Sequence, residues 1–219
     1  MSTPARCFSA IAAGKARYHE IEDMIGTDPG RTLNRLIQLR LVTQLVPVTE
    51  DPRRTRRKIY RISDEFLAFY LGPLSRYRAE IERGLGPSII GALTAVLDDH
   101  MGSVYEEAFR WHLVREANAG RLPGPVMAVG PWWRADGQDQ IDAVVLAEPE
   151  RTRVPVMVGE SKWAKQVNGV RIRADLARKA AGITDDVLGL TYAVCARSEV
   201  AHATPDLLTY TAGDIFGLD

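Results

Sequence analysis

The chain is short of several things, and each shortage removes a class of protein. Two cysteines in 219 residues, Cys7 and Cys195, cannot build a disulfide framework, and no CxxC pair offers a zinc or redox site. Both are expected in the core. No apolar run approaches the roughly 18 residues that a membrane span needs. The start, MSTPARCFSAIAAGKAR, lacks the basic opening, long apolar stretch and cleavage site of a secretion signal, so a cytoplasmic protein is expected, with no membrane partner. No GxxxxGK[ST] loop occurs anywhere, so the chain is not expected to hydrolyse ATP by itself. His19, His100, His112 and His202 show no metal-ligand spacing and receive no chemical role. Net charge is also missing. Twenty-eight basic residues balance 28 acidic ones, which argues against coating nucleic acid through bulk charge.

Charge is present locally. Arg53, Arg54, Thr55, Arg56, Arg57, Lys58, Ile59, Tyr60 and Arg61 form an almost continuous basic segment. Around it, residues 5 to 63 read as three helices followed by a two-stranded hairpin. Phe8, Ile11 and Ala12 recur at helical spacing, His19 to Ile25 gives a second short helix, and Leu33, Leu36, Ile37 and Leu39 stripe a third. Strand-like residues from 41 to 48 and from 58 to 62 flank a turn at Asp51 and Pro52. That order predicts a winged helix-turn-helix domain over residues 1–63. Arg53, Arg54, Arg56 and Arg57 are then candidates to grip DNA phosphates, with Arg35 on the third helix. A solvated hairpin tip or a protein interface explains the same arginines. Residues 64–100 read as a packed helical connector, broken at Gly72, Pro73 and Gly84 to Pro87.

From residue 101 to 219 the pattern becomes helix, strand, strand, helix, strand, strand, and the expected fold class is mixed α/β with a central mixed sheet. The anomaly there is acid inside apolar strands. Asp142 precedes Ala143, Val144 and Val145, and Glu160 and Lys162 follow Val156, Met157 and Val158. A buried carboxylate costs several kcal/mol unless a cation compensates it. Side chains two apart on a strand share a face, so Glu160 and Lys162 go together, and Asp142 joins them if the strands are neighbours. Two carboxylates and a lysine suit phosphodiester hydrolysis. The acids offer hard oxygens to Mg²⁺ or Mn²⁺, and the ammonium stabilises charge on the phosphate in the transition state. Glu106, on the preceding helix beside Phe109 and Leu113, is a further candidate ligand. A plain ion pair between Asp142 or Glu160 and Lys162 or a nearby arginine fits the spacing too. Trp132, Trp133 and Trp163 are expected to pack a sheet edge rather than to stack a base. The basic face of Arg171, Arg173, Arg178 and Lys179 leaves the same choice open between a nucleic-acid contact and solvated helix surface, of which the second is preferred.

The segments GSVYEEAFRWHL, VGPWWRADGQDQIDAVV and VMVGESKWAKQV, in that order, resemble the carboxyl-terminal domain of a prokaryotic AAA-type ATPase family, domain of unknown function 234. FSAIAAGKARYHEIEDMIG and YRISDEFLAFYLGPL resemble the winged-helix and connector regions that precede it. The resemblance implies a restriction-endonuclease-like fold of the PD-(D/E)XK class. It places the helix glutamate at Glu106, the first strand acid at Asp142, and the E-x-K acid and lysine at Glu160 and Lys162, as catalytic residues with Glu106, Asp142 and Glu160 on the metal. It also implies a Mg-dependent nuclease acting on DNA. The alternative is a non-catalytic DNA-binding or regulatory module that docks on a separate AAA-type ATPase, since the nucleotide-binding domain of that family is absent from the sequence.

Overall fold

A computed structural model describes residues 2–149 and 152–217. The chain divides into two compact units, one of residues 1–46 and 55–101, the other of residues 47–54 and 102–219.

The first unit opens with α1 (Thr3–Ala12), α2 (Tyr18–Ile25) and α3 (Gly30–Gln38). The Glu20 carboxylate accepts from the backbone N–H groups of Ala16 and Arg17 at 3.0 and 2.8 Å and so fixes the start of α2. Gly26, at φ 72°, ends that helix in the left-handed conformation that glycine adopts without strain. Strands β1 (Val42–Leu45) and β2 (Ile59–Ile62) pair antiparallel in the register Val42↔Ile62. Cys7, Ile11, Ile21, Ile25, Leu33, Leu36, Val42 and Ile62 meet in one core, each large side chain worth roughly 1.5–3 kcal/mol of burial. The element order is the one the sequence predicts. Then come α4 (Glu65–Leu71), capped by Asp64, a 3-10 turn (Leu74–Tyr77), and α5 (Arg78–Glu82).

Helix α6 (Gly86–Asn118) is a single element of 33 residues. The sequence places a boundary between a helical connector ending at residue 100 and a new helix after residue 101, and α6 runs through it. Met101 and Gly102 interrupt nothing, because one glycine costs a helix only about 1 kcal/mol.

The second unit holds a five-stranded sheet in the order β3-β4-β5-β7-β9. Its strands are β3 (Val126–Trp133), β4 (Gln140–Ala147), β5 (Val154–Lys162), β7 (Thr191–Ala196) and β9 (Leu207–Thr211). The pairings of β3 with β4 and β4 with β5 are antiparallel, while β5 with β7 and β7 with β9 are parallel. The expected mixed α/β class is therefore what the chain adopts. Tyr105, Phe109 and Leu113 of α6 cover one face together with Ile215 of α8 (Ala212–Phe216). Leu176 and Ala180 of α7 (Gly169–Ala180) cover the other, against Ile141, Val144, Val158 and Val194. Covered on both sides, β4 and β5 read as nearly continuous apolar runs. Short strands β6 (Gln166–Asn168) and β8 (Glu199–Ala201) pair separately. Glu150 and Arg151 of the loop after β4, and Leu218 and Asp219, lie outside the described residues. No helix among the described residues is long and apolar enough to cross a membrane.

Candidate active site

The acids are placed by strand register. Ala143 of β4 pairs with Gly159 of β5, and one step outward in an antiparallel ladder sets Asp142 opposite Glu160. Directly opposed side chains share a face, so both carboxylates sit at the same end of the sheet, with Lys162 two residues beyond Glu160. Asp142 and Glu160 are buried, whereas the Lys162 side chain is 48% exposed. The expected convergence of Asp142, Glu160 and Lys162 is present.

Their partners differ. Asp142 has no cation within ion-pair distance among the described residues. Its Oδ2 accepts from the backbone N–H of Ser161 at 2.9 Å and from the Ser161 hydroxyl at 3.3 Å. Its backbone carbonyl accepts from Nη1 of the buried Arg110 at 2.8 Å. Glu160 is held by two ammonium groups. Lys162 Nζ lies 2.5 Å from Oε1, and Lys179 Nζ lies 3.3 Å from Oε2. Lys179 also reaches Asp175 at 2.9 Å, so it bridges α7 to β5. Glu106 lies on α6, 3.9 Å from the Arg110 guanidinium, which also binds Glu107 at 2.7 Å.

Burial, followed by the negative charges of Glu160 and Glu106, pushes the Asp142 carboxyl up to about 7, against the Ser161 N–H and the Lys162 charge, which favour ionisation. Burial works against the Lys162 ammonium, yet the Glu160 hydrogen bond and the charges of Glu160, Asp142 and Glu106 hold it above the usual lysine value. Lys162 is therefore a cation at neutral pH and not a base.

Among the described residues no three His, Cys, Asp or Glu side chains are grouped closely enough to hold a metal ion by themselves. The donor set that remains is Asp142 and Glu160. Mg²⁺ commonly rests on one or two carboxylates and completes its shell with water and phosphate oxygens, so two adjacent acids fit it. The buried, cation-poor carboxyl of Asp142 is the observation that favours such an ion. Glu106 is drawn toward Arg110 and contributes negative potential.

Lys179, read from sequence as helix surface, is instead a direct partner of Glu160. The only signal was its position on a helix following the E-x-K strand. Arg110 was missed because an arginine inside an amphipathic helix reads as its polar face. Trp132 and Trp133 are buried on edge strand β3, as expected of a sheet edge. Trp163 packs edge-on to Tyr105 at 5.2 Å under the Arg197 guanidinium. Cys7 and Cys195 are buried free thiols, the latter 3.0 Å from the Tyr105 hydroxyl.

The candidate DNA contacts are divided between the units. Arg35, exposed on α3, belongs to the first unit, as do exposed Arg56 and half-buried Arg57 of the β1–β2 connection. Arg53 and Arg54 belong to the second unit, both exposed, and Arg54 pairs with Asp51 at 3.6 Å.

Residues 70–174, which include Glu106, Asp142, Glu160 and Lys162, match the model of the family DUF234, described as archaea bacterial proteins of unknown function. An uncharacterized protein of Methanocaldococcus jannaschii is 25% identical over 218 residues, covering 97% of this chain and 48% of its own length. The chain thus spans about half the length of the curated relative it matches. No solved structure matches.

Proposed function

We propose that the second unit is a metal-dependent phosphodiesterase acting on DNA, and that the first is a winged helix-turn-helix that helps to hold the duplex. The observation that carries this reading is Asp142, buried near the start of β4 beside Glu160, within the field of Lys162 and with no ion-pair partner of its own among the described residues. Asp142 and Glu160 would hold the divalent ion. Mg²⁺ or Mn²⁺ bound there supplies a polarised phosphate and a water of lowered pKa. The chain's own side chains do the rest. Ser161 orients the Asp142 carboxylate through its N–H, and Lys179 fixes Glu160 while leaving lone pairs on both oxygens. Lys162, half exposed and firmly protonated, presents its charge to the phosphate in the transition state.

The test is cleavage of duplex and single-stranded DNA with Mg²⁺ or Mn²⁺ and its loss in chelator. Asp142→Asn and Lys162→Ala are each expected to lower the rate by roughly 10² or more. A parent protein inert with every divalent ion sinks the catalytic reading.

A second reading is favoured by the two ammonium groups already on Glu160. In it the acids and lysines only brace the sheet, and the chain is a binding or regulatory module that docks on a separate AAA-type ATPase. Neutralising Glu160 would then take the partner of half-exposed Lys162 and one of the two carboxylates on Lys179, and would lower stability.

A further inference from the structure

Beside Glu160 a cleft of about 520 Å³ opens between β5 and α7, lined by Glu160, Lys162, Asn168, Arg171, Ile172 and Asp175. That size lies within the roughly 300–1,000 Å³ of ordinary ligand sites. Five of its six lining residues are polar or charged, so the side chains that could hold a ligand there suit an ionic one.

The four basic residues of α7 are not equivalent. Arg173 binds Asp206 at 2.5 Å and lies over the Tyr192 ring. Arg178 binds Asp139 at 2.8 Å and Asp175 at 2.9 Å, and Lys179 binds Asp175 and Glu160. Arg171 alone is left. Its guanidinium has no hydrogen bond or ion pair among the described residues, although Asp175, one helical turn onward, lines the same cleft. Asp175 is already occupied by Arg178 and Lys179, which explains why the fork of Arg171 is unclaimed. The backbone of Arg171 is nevertheless fixed, because its N–H donates to the Asn168 side chain at 2.9 Å.

We infer that Arg171 is the substrate-binding residue of this cleft, gripping a backbone phosphate of a nucleic-acid strand next to the phosphodiester that lies at Asp142 and Glu160. A guanidinium suits that task because its planar fork matches two phosphate oxygens. The remaining polar group of the outer wall, Asn168, is spent on capping, so the strand is read through its backbone and not through its bases. The inference rests on the nucleic-acid reading of the site, and its test is arranged so that the two fail separately.

Binding of a fluorescent oligonucleotide, single-stranded and duplex, is measured on the full chain in chelator across a salt series. Arg171→Ala is expected to weaken binding about tenfold and to reduce the slope of log affinity against log salt by about 0.7 on single strands or about 0.9 on duplex, one phosphate contact in either case. Arg171→Lys keeps the slope and recovers part of the affinity. With Mg²⁺ or Mn²⁺, Arg171→Ala raises KM and spares kcat, since the contact is made equally in ground and transition states. Arg171 is exposed, so its variants retain the parent melting temperature. A salt slope unchanged by Arg171→Ala overturns the inference even if the parent cleaves DNA. A reduced slope in a parent that never cleaves upholds it and removes only the catalytic step.

Discussion

At the scale of single residues, Asp142 sets the pH behaviour. Its folded value of about 7 against an ordinary 3.8 means that the folded chain keeps a proton which the unfolded chain has lost. Stability contributed by this group therefore falls as pH rises from about 4 to about 7. Asp142→Asn preserves the acceptor for the Ser161 N–H and removes the charge. The variant is expected to melt higher than the parent at pH 8, with the gap closing toward pH 4, as followed by thermal denaturation at several pH values. A variant that melts lower at pH 8 would mean that Asp142 is held by a cation after all. The same residue gives a metal test that needs no cleavage. Millimolar Mg²⁺ or Mn²⁺ should raise the parent's melting temperature by mass action on the folded state and leave Asp142→Asn nearly unmoved.

At the scale of elements, the site depends on how closely α6 lies on the sheet. A Cβ added at Gly159 would sit 2.8 Å from Cε1 and 3.0 Å from Cζ of Phe109, so glycine beside Glu160 is the residue that lets the helix approach. Gly159→Ala is expected to cost about 1–3 kcal/mol through overpacking, and Phe109→Leu in the same chain should return part of it, both read from denaturant midpoints. If Gly159→Ala costs nothing, α6 moves freely on β5. Strands β4 and β5 were legible because covering both faces leaves long apolar runs, in which an acid stands out. Strand β3 was not. Its Gly130-Pro131 reads as a break, but the strand lies at the sheet edge, where a register shift next to Pro131 is tolerated and the Pro131 carbonyl accepts from Val48 N–H at 2.9 Å. That contact, from a segment distant in sequence, has no local signature. The same holds for Lys179, whose partner lies on another element, and for the bond from Arg110 to the Asp142 carbonyl. Sequence patterns report which face of an element is apolar; they do not report which charges meet across elements.

At the scale of the molecule, the equality of acidic and basic residues makes any grip on DNA a matter of a few unpaired cations. Counting the arginines between β1 and β2 as four phosphate contacts overstates them. Arg54 is paired with Asp51, and Arg57 is half buried and already engaged within the protein. Arg53 and Arg56 are exposed, and their guanidinium groups make no ion pair among the described residues. Replacing Arg53 and Arg56 with alanine should therefore lower the salt slope of duplex binding by about two units, equally for all sequences, while replacing Arg54 and Arg57 adds little. The expectation is checked by fluorescence anisotropy of one duplex across a salt series for both double variants. Equal losses from the two pairs would mean that Arg54 leaves Asp51 to bind phosphate. No loss from either would take this loop out of the proposed DNA contact and leave only the cleft beside α7 to make it.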